Sequence, residues 1–308
     1  MITVLGSINM DLIAKTERFP EPGETVVGVE FMTSPGGKGA NQALAARRAG
    51  AEVSLVGAIG IDKFSKDSLD LLTRAGVDLA QTKVVNGSTG IAHILTDKDG
   101  ENAIVAIPGA NTAVYALDAK SAIEKISKED SIVMQLEVPT ETIETALVEA
   151  KRKEVRSFLN IAPYNTNAMR LSRLADVVVA NEIEFKRLCD DNEISCDTRE
   201  AAMKHLCIDD DQSIVVTLGA KGVMAIHNGE LIHLKAPKID PVDTVGAGDT
   251  FCGYLAAGLD AGIPFQGALQ RATIAGSLAC LASGAQSSIP IAKDVRAVLA
   301  GESKPIVQ

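Results

Sequence analysis

The stretch Asp243-Thr-Val-Gly-Ala-Gly-Asp-Thr-Phe-Cys-Gly253 carries a polar, glycine-rich turn straight into an apolar helical pattern that continues through Tyr254, Leu255 and Leu259. It reads as a loop-to-helix junction. Gly246 and Gly248 admit backbone angles closed to other residues, and the first N–H groups of a helix lack intrahelical partners, so the junction can cradle an anion such as phosphate. A carboxylate, Asp249, stands in the same turn. It would repel phosphate unless it had a task of its own, and two tasks suit it: capping the helix, or accepting a proton.

Working outward, Ile2 to Leu5 reads as a buried parallel strand with Gly6-Ser-Ile-Asn-Met-Asp11 at its carboxyl end, where open α/β sheets bind ligands. Asn9 and Asp11 there either satisfy turn N–H groups or meet hydroxyl groups, and one carboxylate can accept two hydroxyl donors. A second glycine turn, Pro35-Gly-Gly-Lys-Gly-Ala-Asn41-Gln-Ala, opens a helical pattern through Leu44 to Ala49. It is no Walker A loop, because Gly39 follows Lys38 where Ser or Thr is required. From Val53 onward strand-like runs alternate with helical ones: Val53 to Ala58 then Phe64 to Ala75, Ser131 to Leu136 then Thr140 to Lys151, Val177 to Ala180 then Glu182 to Leu188. The alternation predicts a parallel sheet with helices on both faces. Two expected hairpins interrupt it, at about 11–31 around Phe19-Pro-Glu-Pro-Gly23 and at 90–107 around Lys98-Asp-Gly100. Antiparallel pairs do not belong in a parallel sheet, so they are expected to form a small separate sheet, either a lid over the site or an edge extension.

The runs Asp243 to Gly253, Gly6 to Asp11 and Gly36-Gly-Lys-Gly-Ala-Asn-Gln-Ala43 resemble signatures of the ribokinase family, the PfkB-type carbohydrate kinases, and the resemblance extends from Ile2 to about Pro290. It implies an α/β fold, a ribokinase-like three-layer sandwich with a central mostly parallel sheet and a small β-sheet lid, as one kinase domain over residues 1–308. Asp249 becomes the catalytic base, touching the sugar hydroxyl, and Gly246, Ala247 and Gly248 become the anion hole for the transferred phosphoryl group. The resemblance assigns sugar contacts to Asn9, Asp11, Gly37, Asn41 and Glu137, and gives Lys38 a contact with sugar or γ-phosphate. Glu137 also suits a cap on the helix that follows Pro139. Asn181 and Glu184 match an Asn-x-x-Glu motif; helix initiation needs only the Asn, while Glu184 would hold Mg²⁺ through water. Thr217, Gly219 and Gly222 would contact ATP with Lys221 near phosphate, or form a plain turn. Gly248 joins them at the nucleotide, and Thr273 falls where some members carry His beside it. Asn160-Ile-Ala-Pro163 departs from the family's Asn-Pro-Ala-Pro.

Asp243 is too early in the junction to be the base, and no Lys or Arg lies between it and Arg271. The turn Ala282-Ser-Gly-Ala-Gln-Ser-Ser288 offers carbonyls and a hydroxyl, and oxygen ligands around one carboxylate suit a hard cation. The resemblance makes that cation K⁺, held by Asp243, the carbonyls of Val245, Ala279, Ala282 and Gly284, and Ser288. The alternative is that Asp243 caps its own loop.

Composition narrows the remainder. Hydrophobic residues are 46% of the 308 and charged residues 23%, which predicts a globular chain with an aliphatic core. A net charge of −10 argues against a nucleic-acid surface but not against a nucleotide, since local N–H groups and a metal ion outweigh distant carboxylates. The cysteines at 189, 196, 207, 252 and 280 have no C-x-x-C spacing, so neither zinc nor a disulfide framework is expected. The start lacks the order of a signal peptide, and no apolar segment reaches the ~18 residues a bilayer requires, so the expected setting is cytoplasmic, away from membranes. The function that the family resemblance implies is ATP-dependent phosphorylation of D-ribose at O5. A kinase for deoxyribose, another sugar or a nucleoside is the nearest alternative, and a non-catalytic sugar-binding regulator the more distant one. Apolar lid residues such as Val26, Val29, Ile91 and Leu95 exceed what one small sheet can bury, which predicts a homodimer joined lid to lid.

Overall fold

In the computed structural model, which describes residues 1–302, the chain begins with Ile2–Leu5 (β1), Asn9–Thr16 (β2), Gly28–Gly36 (β3), Lys38–Arg48 (α1), Val53–Ile59 (β4), Asp70–Ala75 (α2) and Thr82–Val84 (β5). Gly90–Thr96 (β6), Asn102–Ile107 (β7), Ala116–Lys125 (α3), Ser131–Gln135 (β8), Thr140–Arg152 (α4), Arg156–Asn160 (β9) and Ala168–Ser172 (α5) follow. The rest comprises Val177–Asn181 (β10), Glu182–Asp191 (α6), Arg199–Leu206 (α7), Ser213–Thr217 (β11), Val223–His227 (β12), Glu230–Leu234 (β13), Ala247–Asp260 (α8), Phe265–Ala279 (α9) and Ala292–Leu299 (α10). Residues 303–308 of the expected kinase domain lie outside the described residues.

Strands whose every residue is apolar or buried need cover on both faces, and they have it. Val177 and Val179 of β10 join a core with α1, α2, α8, α9 and α10, while Val178 and Ala180 of the same strand join a second core with α3 to α7. The period of two along each strand thus divides one sheet between two helical layers. That sheet runs β13-β12-β11-β10-β9-β8-β1-β4-β5, parallel except where β12 pairs with β11 and β13. From β1 the chain moves through β4 and β5 to one edge; from β8 it moves to the other. The order therefore reverses between β1 and β8, and such a reversal leaves a crevice outside the carboxyl ends of the strands.

The two hairpins form the expected separate sheet, ordered β3-β2-β6-β7, with β2 and β6 paired in parallel at its centre. Its first hairpin differs in extent from the expected 11–31. β2 starts at Asn9, β3 runs to Gly36, and Glu24 to Val27 are outside the strands. The cause is register: Asn9 pairs with Gly36 and Met10 with Pro35, so the first part of the Pro35-Gly-Gly turn is ladder. The helix expected over Phe64 to Ala75 starts only at Asp70, because the Asp62 carboxylate takes the N–H groups of Phe64 and Ser65 at 3.0 Å and holds a turn there. α9 spans Phe265–Ala279 rather than Leu269 to Ala282, entered from Pro264 at its N-cap.

The faces of the small sheet differ. Register puts Asn9 and Asp11 on one face, and Leu12, Ala14, Val29, Phe31, Ile91, Leu95, Val105 and Ile107 on the other. On that second face Val29, Phe31 and Val105 are 68%, 67% and 62% exposed, whereas Ile91 and Leu95 are half-buried. Val26 is half-buried in the connecting loop. Among the described residues no helix is long and apolar enough to cross a membrane.

Candidate active site

Two helix starts and two strand ends meet at the β1/β8 crevice. The Glu137 carboxylate, just past β8, accepts hydrogen bonds from the Ser7 hydroxyl just past β1 and from the Lys38 N–H, 3.1 Å away, at the start of α1. Glu137 is therefore tied into the crevice, and α4 has no side-chain cap, which removes capping as its task. Asn9 and Asp11 lie on β2 rather than in a turn. Asn9 Oδ1 accepts from Asn111 Nδ2 at 2.7 Å, and Asn111 Oδ1 accepts from the Ile8 N–H at 2.9 Å, so the Asn9 amide donor points away from Asn111. Asp11 is buried.

Asp249 sits in the first turn of α8 and is 7% exposed. It does not cap the helix: the N-cap is Gly246, at φ 77°, and it makes no side-chain cap bond. Instead, Asp249 Oδ2 accepts from Asn41 Nδ2 and Oδ1 from Gln42 Nε2, both at 2.9 Å. These contacts exist because α8 lies directly on α1. A Cβ at Gly253 would stand 2.6 Å from the Gln42 carbonyl oxygen and 2.7 Å from the Ala46 nitrogen, so only glycine allows this approach.

A cavity of about 200 Å³ opens beside Asp249, lined by Lys38, Asn160, Asn181, Glu184, Thr217, Gly246, Gly248 and Cys252 among others. Gly248 has open space where a Cβ would stand, and its N–H belongs to the unpaired first turn of α8; the Ala247 N–H is taken by the Thr244 carbonyl at 3.3 Å. Asn181 and Glu184 form a reciprocal capping box at the start of α6, so both serve the helix while lining the cavity. Gly219, Lys221 and Gly222 make the turn between β11 and β12 and do not line this cavity; Gly37, the N-cap of α1, does not either. Thr273 is buried with its hydroxyl on the Leu269 carbonyl at 2.8 Å, inside α9.

The charges here oppose one another. Burial, then the negative charges of Glu137 and Asp249, push the Asp11 carboxyl up to about 7, against the pull of Lys38. Burial disfavours the Lys38 ammonium, but Asp249, Glu137 and Glu184 together hold its pKa above the usual lysine value. Burial raises Glu184, and burial with the charges of Asp249 and Glu184 raises the Cys252 thiol well above its ordinary range.

The Asp243 turn packs against this junction. Asp243 Oδ1 accepts from the Val245 N–H at 3.0 Å and Oδ2 from the Gly284 N–H at 2.9 Å, joining the two turns, and the Cys280 carbonyl accepts from the Val242 N–H at 2.8 Å. The buried Ser288 hydroxyl and both polar atoms of the Gln286 amide have no hydrogen-bond partner. Among the described residues no three His, Cys, Asp or Glu side chains converge as a metal site.

Ser7, Gln42, Asn111, Gln135 and Cys252 were not singled out by the sequence patterns. Gln135 was the most visible of them, as a polar end to the apolar run Ile132-Val-Met134.

A model described as pfkB family carbohydrate kinase matches residues 1–292. The chain is 34% identical over 293 residues to a ribokinase of Haemophilus influenzae, covering 94% of this chain and 95% of that one. It is 33% identical over 291 residues to a deoxyribokinase of Salmonella typhi, with the same coverage of 94% and 95%. A ribokinase structure from Thermotoga maritima is similar with a TM-score of 0.87 at 32% identity, over 97% of this chain and 99% of that one. The Arabidopsis thaliana ribokinase complexed with ribose and ATP gives a TM-score of 0.83 at 28% identity, over 97% and 98%. Family match, relatives and fold agree over nearly the whole length, and the chain belongs to the pfkB family of carbohydrate kinases.

Proposed function

We propose that this kinase transfers the γ-phosphoryl group of ATP to the O5 hydroxyl of D-ribose, acting as one domain over residues 1–308 with the small sheet as a lid. The observation that carries the reading is Asp249. It is a buried carboxylate at a helix start, coupled electrostatically to Asp11 on one side and to Glu184 on the other. In this reading Asn9, Asp11, Gly37, Asn41 and Glu137 hold the sugar hydroxyls. The sugar oxygen attacks the γ-phosphorus, the bond from phosphorus to the β,γ-bridging oxygen breaks, and the hydroxyl proton goes to Asp249. N–H groups at Gly246, Ala247 and Gly248 and the Lys38 ammonium meet the charge on the moving phosphoryl group, because such transfer is mostly positioning and charge stabilisation. Ala247 contributes only if its bond to Thr244 yields. Asn181, Thr217, Gly219, Lys221, Gly222 and Thr273 are assigned to the nucleotide side. A second reading, deoxyribose as substrate, is favoured by the Salmonella typhi relative, whose 33% identity is one percentage point below that of the Haemophilus influenzae ribokinase.

Four carboxylates, Asp11, Glu137, Glu184 and Asp249, face one Lys38, so a triphosphate requires added cations. When bound, Mg²⁺ would neutralise charge on the phosphate oxygens, and Glu184 would hold it through water. K⁺ suits the turns joined by Asp243. The unpartnered Ser288 hydroxyl supports an oxygen cage with the carbonyls of Val245, Ala279, Ala282 and Gly284. The exposed outer face of the small sheet supports a homodimer formed lid to lid.

In an ADP-release assay D-ribose should give a larger kcat/KM than deoxyribose or adenosine, and Asp249→Asn should lose ~10²-fold or more in kcat with sugar binding nearly kept. Normal turnover by the folded variant removes the base, and a larger kcat/KM for deoxyribose moves the proposal to that sugar. For Asp11, the folded chain keeps a proton that the unfolded chain releases near 3.8, so its ionisation costs stability as pH rises from about 4 to about 7. Asp11→Asn should therefore melt higher than wild type at pH 8, with the advantage fading toward pH 4, while sugar KM rises; an equal shift in melting at both values counts against this strain. Replacing choline chloride by KCl at constant ionic strength should raise both rate and melting temperature, and Asp243→Ala should abolish both responses. Equal behaviour in the two salts ends the cation assignment. Sedimentation at micromolar concentration should show a dimer that Phe31→Asp converts to monomer, and a monomeric wild type excludes the lid interface.

A further inference from the structure

Behind Asp249 lies a chain of buried amides that the proposed reaction does not use. Gln42 is wholly buried on α1, Gln135 wholly buried at the end of β8, and Asn160 buried at the end of β9. Gln42 Nε2 donates to Asp249 Oδ1 at 2.9 Å and to Asn160 Oδ1 at 3.2 Å, and Gln42 Oε1 accepts from Gln135 Nε2 at 2.7 Å. Asn160 Nδ2 in turn donates to the Val179 carbonyl at 3.2 Å.

The direction of this chain is fixed by its end. A backbone carbonyl only accepts, so Asn160 turns its nitrogen to Val179 and its oxygen to Gln42. Gln42 must then present nitrogen, and its oxygen is left for Gln135. Reversing any one amide sets nitrogen against nitrogen or oxygen against oxygen at that amide's contacts in the row. The donor facing Asp249 is thus specified from the β9/β10 backbone, two elements away.

We propose that Gln42 is a positioning residue for the base, holding Asp249 Oδ1 so that Oδ2 is the oxygen offered to the sugar hydroxyl; this rests on Asp249 being the base. An N–H against Oδ1 penalises a proton on that oxygen and resists rotation of the carboxylate. Oδ2 has only Asn41 as partner, and Asn41 Oδ1 is buried without a partner of its own. The Asn41 amide is free to exchange Asp249 for a ligand hydroxyl, whereas Gln42 is locked from both sides.

The test compares Gln42→Met, which keeps the length and removes the donors, with Gln135→Met, which removes one of the two amides that lock Gln42. Both are assayed beside Asp249→Asn, and folding is checked by thermal melting. Loss of a hydrogen bond to a charged group should lower kcat of Gln42→Met roughly 10- to 100-fold. KM for sugar and for ATP should stay within about twofold, since only the reacting arrangement is disturbed. Gln135→Met should fall in the same direction by less, and it carries the test if Gln42→Met does not fold. Wild-type kcat in either folded variant, or a raised KM at unchanged kcat, overturns the positioning role. Turnover retained by Asp249→Asn would instead remove the base reading itself.

Discussion

A carboxylate that is 7% exposed must find donors inside the protein, and this requirement organises the middle of the molecule. Asp249 finds them on α1, as Asn41 and Gln42. Those amides reach it only because α8 approaches α1 closely enough for Gly253 to touch the backbone of Gln42 and Ala46. The contact in turn requires the alanine-rich inner face of α1, with Ala43, Ala45 and Ala46 wholly buried. Packing and chemistry are therefore one constraint here: separating the helices would both open the core and strand a buried charge.

The same logic accounts for what was legible in the sequence. Alternation of apolar strands and helices gave the large sheet, because residues buried on both faces leave a continuous apolar run such as Val177-Val-Val-Ala180. The junction Asp243 to Gly253 was legible because glycine at a positive φ and a polar residue in a first helical turn are local requirements. The Gln135 to Gln42 to Asn160 row was not, since its meaning lies in contacts between residues about a hundred positions apart. Asn111 is similar: nothing near it in sequence announces that it orients Asn9. Helix ends failed where a side chain overruled periodicity, as Asp62 does before α2.

The capping alternatives divide in an instructive way. For Asp249 and Glu137 the side chain leaves its own helix start and reaches another element, which capping cannot explain. For Asn181 and Glu184 the capping box is complete, and the same two residues still line the cavity. A residue can satisfy a helix terminus with one atom and face a ligand with another, so a satisfied cap does not remove a polar residue from a site. The distinction lies in exposure to the cavity.

The small sheet shows how a single register serves two purposes. Pairing Asn9 with Gly36 and with Gly90 directs Asn9 and Asp11 toward the crevice, and by the period of two it directs Leu12 and Ala14 outward with Phe31, Leu95 and Val105. A shift of one residue would exchange the faces, setting apolar side chains over the carboxylates and Asp11 into the apolar outer surface. The face that carries Asn9 and Asp11, together with Ile13 and Ile94, and the outer face that carries Phe31 and Val105 are thus fixed by the same hydrogen-bond ladder. Because β2 carries residues of both faces, the pairing that exposes Phe31 and Val105 is also the pairing that sets the position of Asn9 and Asp11.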